Sequence, residues 1–125
     1  MDMKNKIIII TLLILVGCSG FHLIKSDCYL DPVYEHRTYF HEISFCLRCD
    51  GSTYNFIDGN IVGVYLPECD YIDTVVHTHP IWGEPCASVV DYPIFKAYMD
   101  LYGNDTFAVL PSYGKIKIYQ YLGND

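Results

Sequence analysis

Residues 77–91 read His-Thr-His-Pro-Ile-Trp-Gly-Glu-Pro-Cys-Ala-Ser-Val-Val-Asp, and they hold the side chains of this chain best suited to chemistry. Imidazole nitrogen and carboxylate oxygen both bind zinc readily, and a catalytic zinc site keeps three protein ligands with its fourth position open. His77 and His79 stand two apart on a stretch that reads as a strand, so both side chains leave the same face. Pro80 cannot donate to a ladder and ends pairing there, which leaves room for a substrate. Asp91 follows a loop containing Gly83 and Pro85 and opens a helix, where its carboxylate is the natural third ligand. The expectation is one Zn2+ ion held by His77, His79 and Asp91.

Zinc lowers the pKa of bound water towards neutrality. A carboxylate outside the ligand set can then take the water's proton and pass it to a leaving amine. A hydroxyl donor on the opposite side, here Ser88, stabilises the developing oxyanion. Each residue also has a plainer role. A His-x-His pair on a strand is often structural, Ser88 alone is a helix cap, and Asp91 alone is a favourable charge at a helix N-terminus. It is their combination at these spacings that points to a metal site.

These residues need elements to position them. Residues 40–47 are strand-like, Asp50-Gly51 is a hairpin turn signal, and residues 52–57 read as the return strand. After Asp58-Gly59 the apolar run 61–66 predicts another strand, and residues 72–79, rich in β-branched side chains, predict the histidine strand. Ser88-Val89-Val90-Asp91 has the form of a capping box. Pro93 predicts a lost hydrogen bond early in the helix and a restart nearby. Ile94, Phe95, Tyr98, Met99 and Tyr102 then recur at helical spacing, and Gly103 ends the helix. Residues 106–110 and 115–121 predict two last strands. Asp31-Pro32 predicts a short helix with Asp31 as its N-cap. The fold class is α/β: a small single domain with a mostly antiparallel sheet and one main helix.

The pattern His-Thr-His-Pro, seven residues, Ser, two residues, Asp resembles the signature of the JAMM (MPN-plus) zinc metallopeptidases, and matches it at every fixed position. The resemblance implies a JAMM/cytidine-deaminase-like architecture and zinc-dependent hydrolysis of a peptide or isopeptide bond. It implies zinc ligands at His77, His79 and Asp91 and the oxyanion role at Ser88. It also implies a glutamate base on or near the first strand. Glu42 begins that strand and is the leading candidate, with Glu35 and Glu68 as alternatives. The expected partner is a peptide or protein substrate. A rival reading keeps the metal site in a non-catalytic lipoprotein that binds a protein partner as an inhibitor or immunity-type protein. Zinc-dependent deamination is a weaker rival, because Glu84-Pro85-Cys86 lacks the second cysteine that chemistry uses.

The start of the chain supplies an address. Lys4 and Lys6 precede an apolar run over residues 7–17, shorter than the roughly 20 residues a transmembrane helix needs. It fits the apolar region of a secretory signal peptide. Leu15-Val16-Gly17-Cys18 resembles the bacterial lipobox, which implies lipidation of Cys18 and attachment to a membrane of the bacterial cell envelope. Ser19 after the cysteine resembles the pattern of lipoproteins delivered to the outer membrane. The expected organisation is a lipoprotein signal peptide at 1–17, a lipid anchor and tether at 18–30, and a JAMM-like metallopeptidase domain at 31–125.

The formal charge is −7, and a leader carrying +1 leaves −8 for the remainder. No Lys or Arg cluster is present to displace counterions from phosphates, which argues against nucleic acid as a partner. Beyond Cys18 there are five cysteines, an odd number, so at least one has no partner within that set. Cys46-Leu47-Arg48-Cys49 reads either as a redox or zinc-knuckle CxxC, or as two halves of cross-links across a hairpin or to Cys28 or Cys69. Cys86 is expected in a disulfide that shapes the loop before Ser88, with a free thiol near the metal as the alternative.

Overall fold

Alternation along one strand organises the molecule. In Thr74–His79 every residue after the first is buried, with odd-numbered side chains turned to one face of a sheet and even-numbered ones to the other. The computed structural model describes residues 20–61 and 63–123. The expected signal peptide at 1–17 and the expected lipidated Cys18 lie outside the described residues.

Six strands form one sheet: β1 (Phe21–Ile24), β2 (Ile43–Leu47), β3 (Thr53–Asp58), β4 (Thr74–His79), β5 (Thr106–Pro111) and β6 (Lys117–Tyr121). Their spatial order is β1-β6-β5-β4-β2-β3. Four neighbouring pairs are antiparallel, and only β4 and β5 run parallel. A parallel pair needs a crossover, and the one α-helix among the described residues, α1 (Asp91–Tyr102), supplies it. The chain is therefore a small α/β domain with a mostly antiparallel sheet and one main helix, as its sequence pattern predicts.

The two sheet faces carry separate cores. Val75, Phe107, Val109 and Tyr119 pack with Phe95 and Tyr98 of α1, and the Phe95 and Phe107 rings stack at 4.5 Å. On the other face Phe45, Val76, Ala108, Leu110 and Ile118 surround Val33. Val33 belongs to a 3₁₀ helix at Asp31–His36.

Several local expectations are corrected. Residues 19–30 were expected as a tether, yet Phe21–Ile24 form β1 and pair with β6. Phe21 is buried against the rings of Phe107 and Tyr121, and that burial draws the segment onto the sheet. Asp31 is the first residue of its 3₁₀ helix, and Leu30 stands at the N-cap. The described residues of the 61–66 segment form no strand. Asn60 turns the chain instead, accepting the Gly63 N–H on its side chain while its own N–H donates to the Gly63 carbonyl. Such local side-chain bonds compete with a ladder. Pro93 causes no restart, because it is the third residue of α1, where the backbone N–H has no intrahelical partner to lose. Gly103, at φ 86°, ends the helix as expected.

Two disulfides divide the CxxC pair, Cys28–Cys49 and Cys46–Cys69, while Cys86 is free. The cross-linking reading of Cys46 and Cys49 holds, and the expected disulfide at Cys86 does not. Cys46–Cys69 ties the irregular segment before β4 to β2 across 23 residues. Constraining a loop of that size in the unfolded chain contributes about 3 kcal/mol. Denaturant unfolding of the Cys46→Ala, Cys69→Ala double variant is expected to show a loss of about that size.

Candidate metal centre

The C-terminal end of β4 brings three donor groups together. His77 and His79 share the α1 face of the sheet, and their Nε2 atoms lie 3.0 Å apart. The Asp91 Oδ2 atom is 3.4 Å from each of these nitrogens. Asp91 arrives there because the crossover returns the chain over β4 and starts α1 above the strand end. As the first residue of the helix, its carboxylate also meets the positive end of the helix dipole. Only half of the expected capping box forms. The Ser88 N–H donates to Asp91 Oδ2 at 2.7 Å, while Val90 is the N-cap and no side chain caps the helix.

The ring orientations fit ligation unequally. His79 Nδ1 lies 2.6 Å from the Glu84 carbonyl oxygen, which can only accept. That bond puts the proton on Nδ1 and turns the Nε2 lone pair towards Asp91 and His77, the usual way a metal-binding imidazole is oriented. His77 Nδ1 is buried and has no hydrogen-bond partner among the described residues. Packing against Phe95, with ring centroids 5.6 Å apart, holds that ring instead.

Glu42 lies just before β2. Ser44 pairs with His77 in the β2–β4 register, and carrying that register two residues further sets Glu42 opposite His79. A carboxylate oxygen of Glu42 and a ring nitrogen of each histidine all lie within 4.8 Å of one another. The backbone of Glu42 is pinned by two bonds, its N–H to the Asn60 carbonyl at 3.0 Å and its carbonyl to the Gly59 N–H at 2.8 Å. Glu35 is exposed beside His36 on the 3₁₀ helix, and Glu68 is exposed in the segment before β4. Of the three glutamates, only Glu42 lines the pocket that contains the histidines.

That pocket has a volume of about 360 Å³, and all five site residues singled out in the sequence line it: Glu42, His77, His79, Ser88 and Asp91. Other residues build its walls. The segment expected as a strand contributes Ile61, Val64 and Leu66, and α1 contributes Ile94. Trp82 lines the mouth, more than half exposed, with its ring 6.4 Å from that of Phe40. Glu84 also escaped notice, because its role falls to a backbone carbonyl rather than to its side chain.

Electrostatics bind the cluster. Burial pushes the Asp91 carboxyl up, but the two imidazoles and the Ser88 N–H outweigh it and hold the group well below the usual carboxylate range. Burial pushes His79 down, and the Asp91 carboxylate and Glu84 carbonyl outweigh that, leaving His79 raised. Glu42 is raised by burial, with opposition from His77 and His79 and a smaller upward push from Asp91.

Two imidazoles and one carboxylate form the donor set of a catalytic zinc site. Zinc–nitrogen and zinc–oxygen bonds of about 2.0–2.1 Å place tetrahedral ligands about 3.3 Å apart. The observed separations of 3.0, 3.4 and 3.4 Å fall around that value. A Glu42 carboxylate oxygen also lies within 4.8 Å of the ring nitrogens, so a second carboxylate stands at the same cluster. The residues present fit such an ion. No family model, curated protein or solved structure matches this chain.

Without metal, the pairing of His79 with Asp91 has a defined pH window. The depressed Asp91 contributes stability that is present above its unfolded value of 3.8 and lost as pH falls through its folded value. The raised His79 contributes stability that is present below its unfolded value of 6.5 and lost as pH rises through its folded value. With chelator present, Asp91→Asn is therefore expected to lower the denaturation midpoint most between about pH 4 and pH 6.5. A deficit that keeps growing at alkaline pH would contradict the pairing.

Proposed function

We propose that this chain is a zinc-dependent hydrolase of a peptide or isopeptide bond, with a JAMM-like site and architecture, held at a bacterial envelope membrane through a lipidated Cys18. The observation that carries the catalytic reading is the convergence of His77, His79 and Asp91 at 3.0–3.4 Å, with Glu42 beside them in the same pocket. A merely structural cluster of buried polar groups would not need a second carboxylate facing the same cavity. Two disulfides support an exported domain, since such bonds persist in oxidising compartments.

His77, His79 and Asp91 would hold the ion, which supplies Lewis acidity towards an amide carbonyl and acidifies water. The chain's own residues account for the proton and the charge. Glu42, its pKa raised by burial, suits a general base that accepts a proton from the attacking water and returns it to the leaving amine. The Ser88 hydroxyl lines the pocket near Asp91 and would donate to the oxygen of the tetrahedral carbon. The Glu84 carbonyl keeps His79 in the tautomer that presents Nε2. Exposed apolar side chains of Ile61, Trp82, Val90 and Ile94 at the pocket suit a polypeptide substrate with apolar residues near the cleaved bond.

Equilibrium dialysis is expected to give one zinc per wild-type chain, and none for His77→Ala or His79→Ala. Full zinc occupancy in either variant would remove the metal site. Profiling of peptide cleavage should then separate the roles. Glu42→Gln is expected to keep zinc and lose about 10²–10⁴-fold in rate. Ser88→Ala should keep zinc and lose about 10²–10³-fold. Hydrolysis that survives in Glu42→Gln would remove the base assignment. A zinc-loaded chain that cleaves no peptide, yet binds one protein tightly, would favour the non-catalytic reading.

A further inference from the structure

The sheet has two unlike ends. The metal-site residues gather at the C-terminal end of β4, while the first described residues emerge at the other. Gly20 accepts a hydrogen bond from the Leu122 N–H at 2.8 Å, and Phe21 pairs with Tyr121. The Tyr121 N–H in turn bonds the Asp105 carbonyl, just before β5. Asn104 donates its side-chain amide to the carbonyls of Asp70 and Asp73, which fastens the turn before β4 to the end of α1. Five large apolar side chains stand exposed at this end: Tyr71, Ile72, Leu101, Tyr102 and Leu122, each between 38% and 75%.

From these positions we infer that the end formed by Tyr71, Ile72, Leu101, Tyr102 and Leu122 lies on a lipid bilayer, with the pocket turned away from the membrane. The chain outside the described residues identifies the occupant. Its nineteen N-terminal residues, including the apolar run 7–17, lead into Gly20 at this face. Three residue steps separate Cys18 from Phe21, a reach of at most about 10 Å. A lipid on Cys18, or the apolar run itself in a membrane, therefore brings this end against the bilayer. Tyrosine suits the depth where headgroups meet acyl chains, because its ring is apolar and its hydroxyl stays wet.

Charge narrows the lipid. Asp70 and Asp105 are exposed around the five apolar side chains, while Asp100 is paired with Lys96 at 2.7 Å, so the contact rests on apolar burial and favours zwitterionic over anionic headgroups. It is accordingly insensitive to salt. β4 rises about 3.3 Å per residue, which sets the metal-site end about 17 Å from the start of that strand. A substrate would then be a polypeptide standing clear of the bilayer. The inference rests on the envelope address and is independent of the catalytic reading.

Trp82 is the single tryptophan of the chain and lies at the pocket mouth, so it reports on the far end. The full chain would be reconstituted on phosphatidylcholine vesicles with and without brominated acyl chains, and its fluorescence compared. Trp82 emission is expected to be the same in both. In a Trp82→Phe background, Leu101→Trp and separately Ile72→Trp should each lose at least half of their emission to bromination, at low and high salt alike. Quenching of Trp82, or no quenching in both face variants, overturns the proposal. Co-sedimentation with vesicles without quenching at the face would remove the face and keep the anchor, and failure to sediment would remove both. Quenching replaced by concentration-dependent dimerisation would assign the face to a second copy. Activity of the Glu42→Gln variant bears on none of these readouts.

Discussion

A carboxylate with 14% of its side chain exposed must be compensated, and the compensation of Asp91 is the constraint on which the site depends. A buried charge without partners is costly enough that the group would take up a proton instead. Asp91 avoids this by facing two imidazoles and the Ser88 N–H at the start of a helix. The same arrangement that keeps it ionised draws three donors into a triangle of the size a small cation requires. Those donors repel or leave lone pairs opposed when no proton or cation lies between them. The cluster is thus held by whatever positive charge it contains, and the fold must supply the geometry beforehand.

The fold supplies it through the one parallel pair in an otherwise antiparallel sheet. Because β5 runs beside β4 in the same direction, the chain must cross back over the sheet, and α1 makes that crossing. Its N-terminus consequently stands above the end of β4 where His77 and His79 face the same side. Phe95 stacks on Phe107 and packs on His77, so the apolar core and the polar cluster share a side chain at their boundary. Glu42 reaches the cluster by a separate route, through the antiparallel register of β2 on β4. The site therefore needs two independent pairings of β4 to be correct, one on each edge.

Much of this is legible in the sequence because the informative signals are local. The two-residue spacing of His77 and His79, the β-branched run before them and the helical period after Asp91 each follow from backbone geometry. So does the stop at Gly103. What failed depends on distant partners. Phe21 offers nothing locally to mark β1, since its burial is provided by Phe107 and Tyr121 almost ninety to a hundred residues away. Residues 61–66 are as apolar and β-branched as a strand, but Asn60 turns the segment and the Cys46–Cys69 bond ties down its far side. Ile61, Val64 and Leu66 line a cavity instead of joining a ladder. Pro93 misled because its cost depends on its position within the helix, and as the third residue of α1 it has no intrahelical bond to lose.

The irregular segment between β3 and β4 shows how a chain this small can keep a cavity open. A longer protein could build such a wall from a packed helix or an extra strand. Here the wall is held by point contacts. The Cys46–Cys69 bond fixes its end, the Tyr98 hydroxyl donates to the Pro67 carbonyl and accepts from the Cys69 N–H, and the Ser44 hydroxyl donates to the Tyr65 carbonyl. Gly59 completes the set by close approach, since a Cβ there would lie 2.3 Å from the Gly63 carbonyl oxygen and 2.8 Å from that of Glu42. The Tyr98 and Ser44 hydroxyls satisfy backbone groups that a strand would have paired in a ladder. The segment can therefore leave the sheet without stranding those polar groups, and its apolar side chains are free to face the pocket. The cavity beside His77 and His79 exists because this segment is held by one disulfide and by bonds to its backbone, which leave Ile61, Val64 and Leu66 to face the pocket.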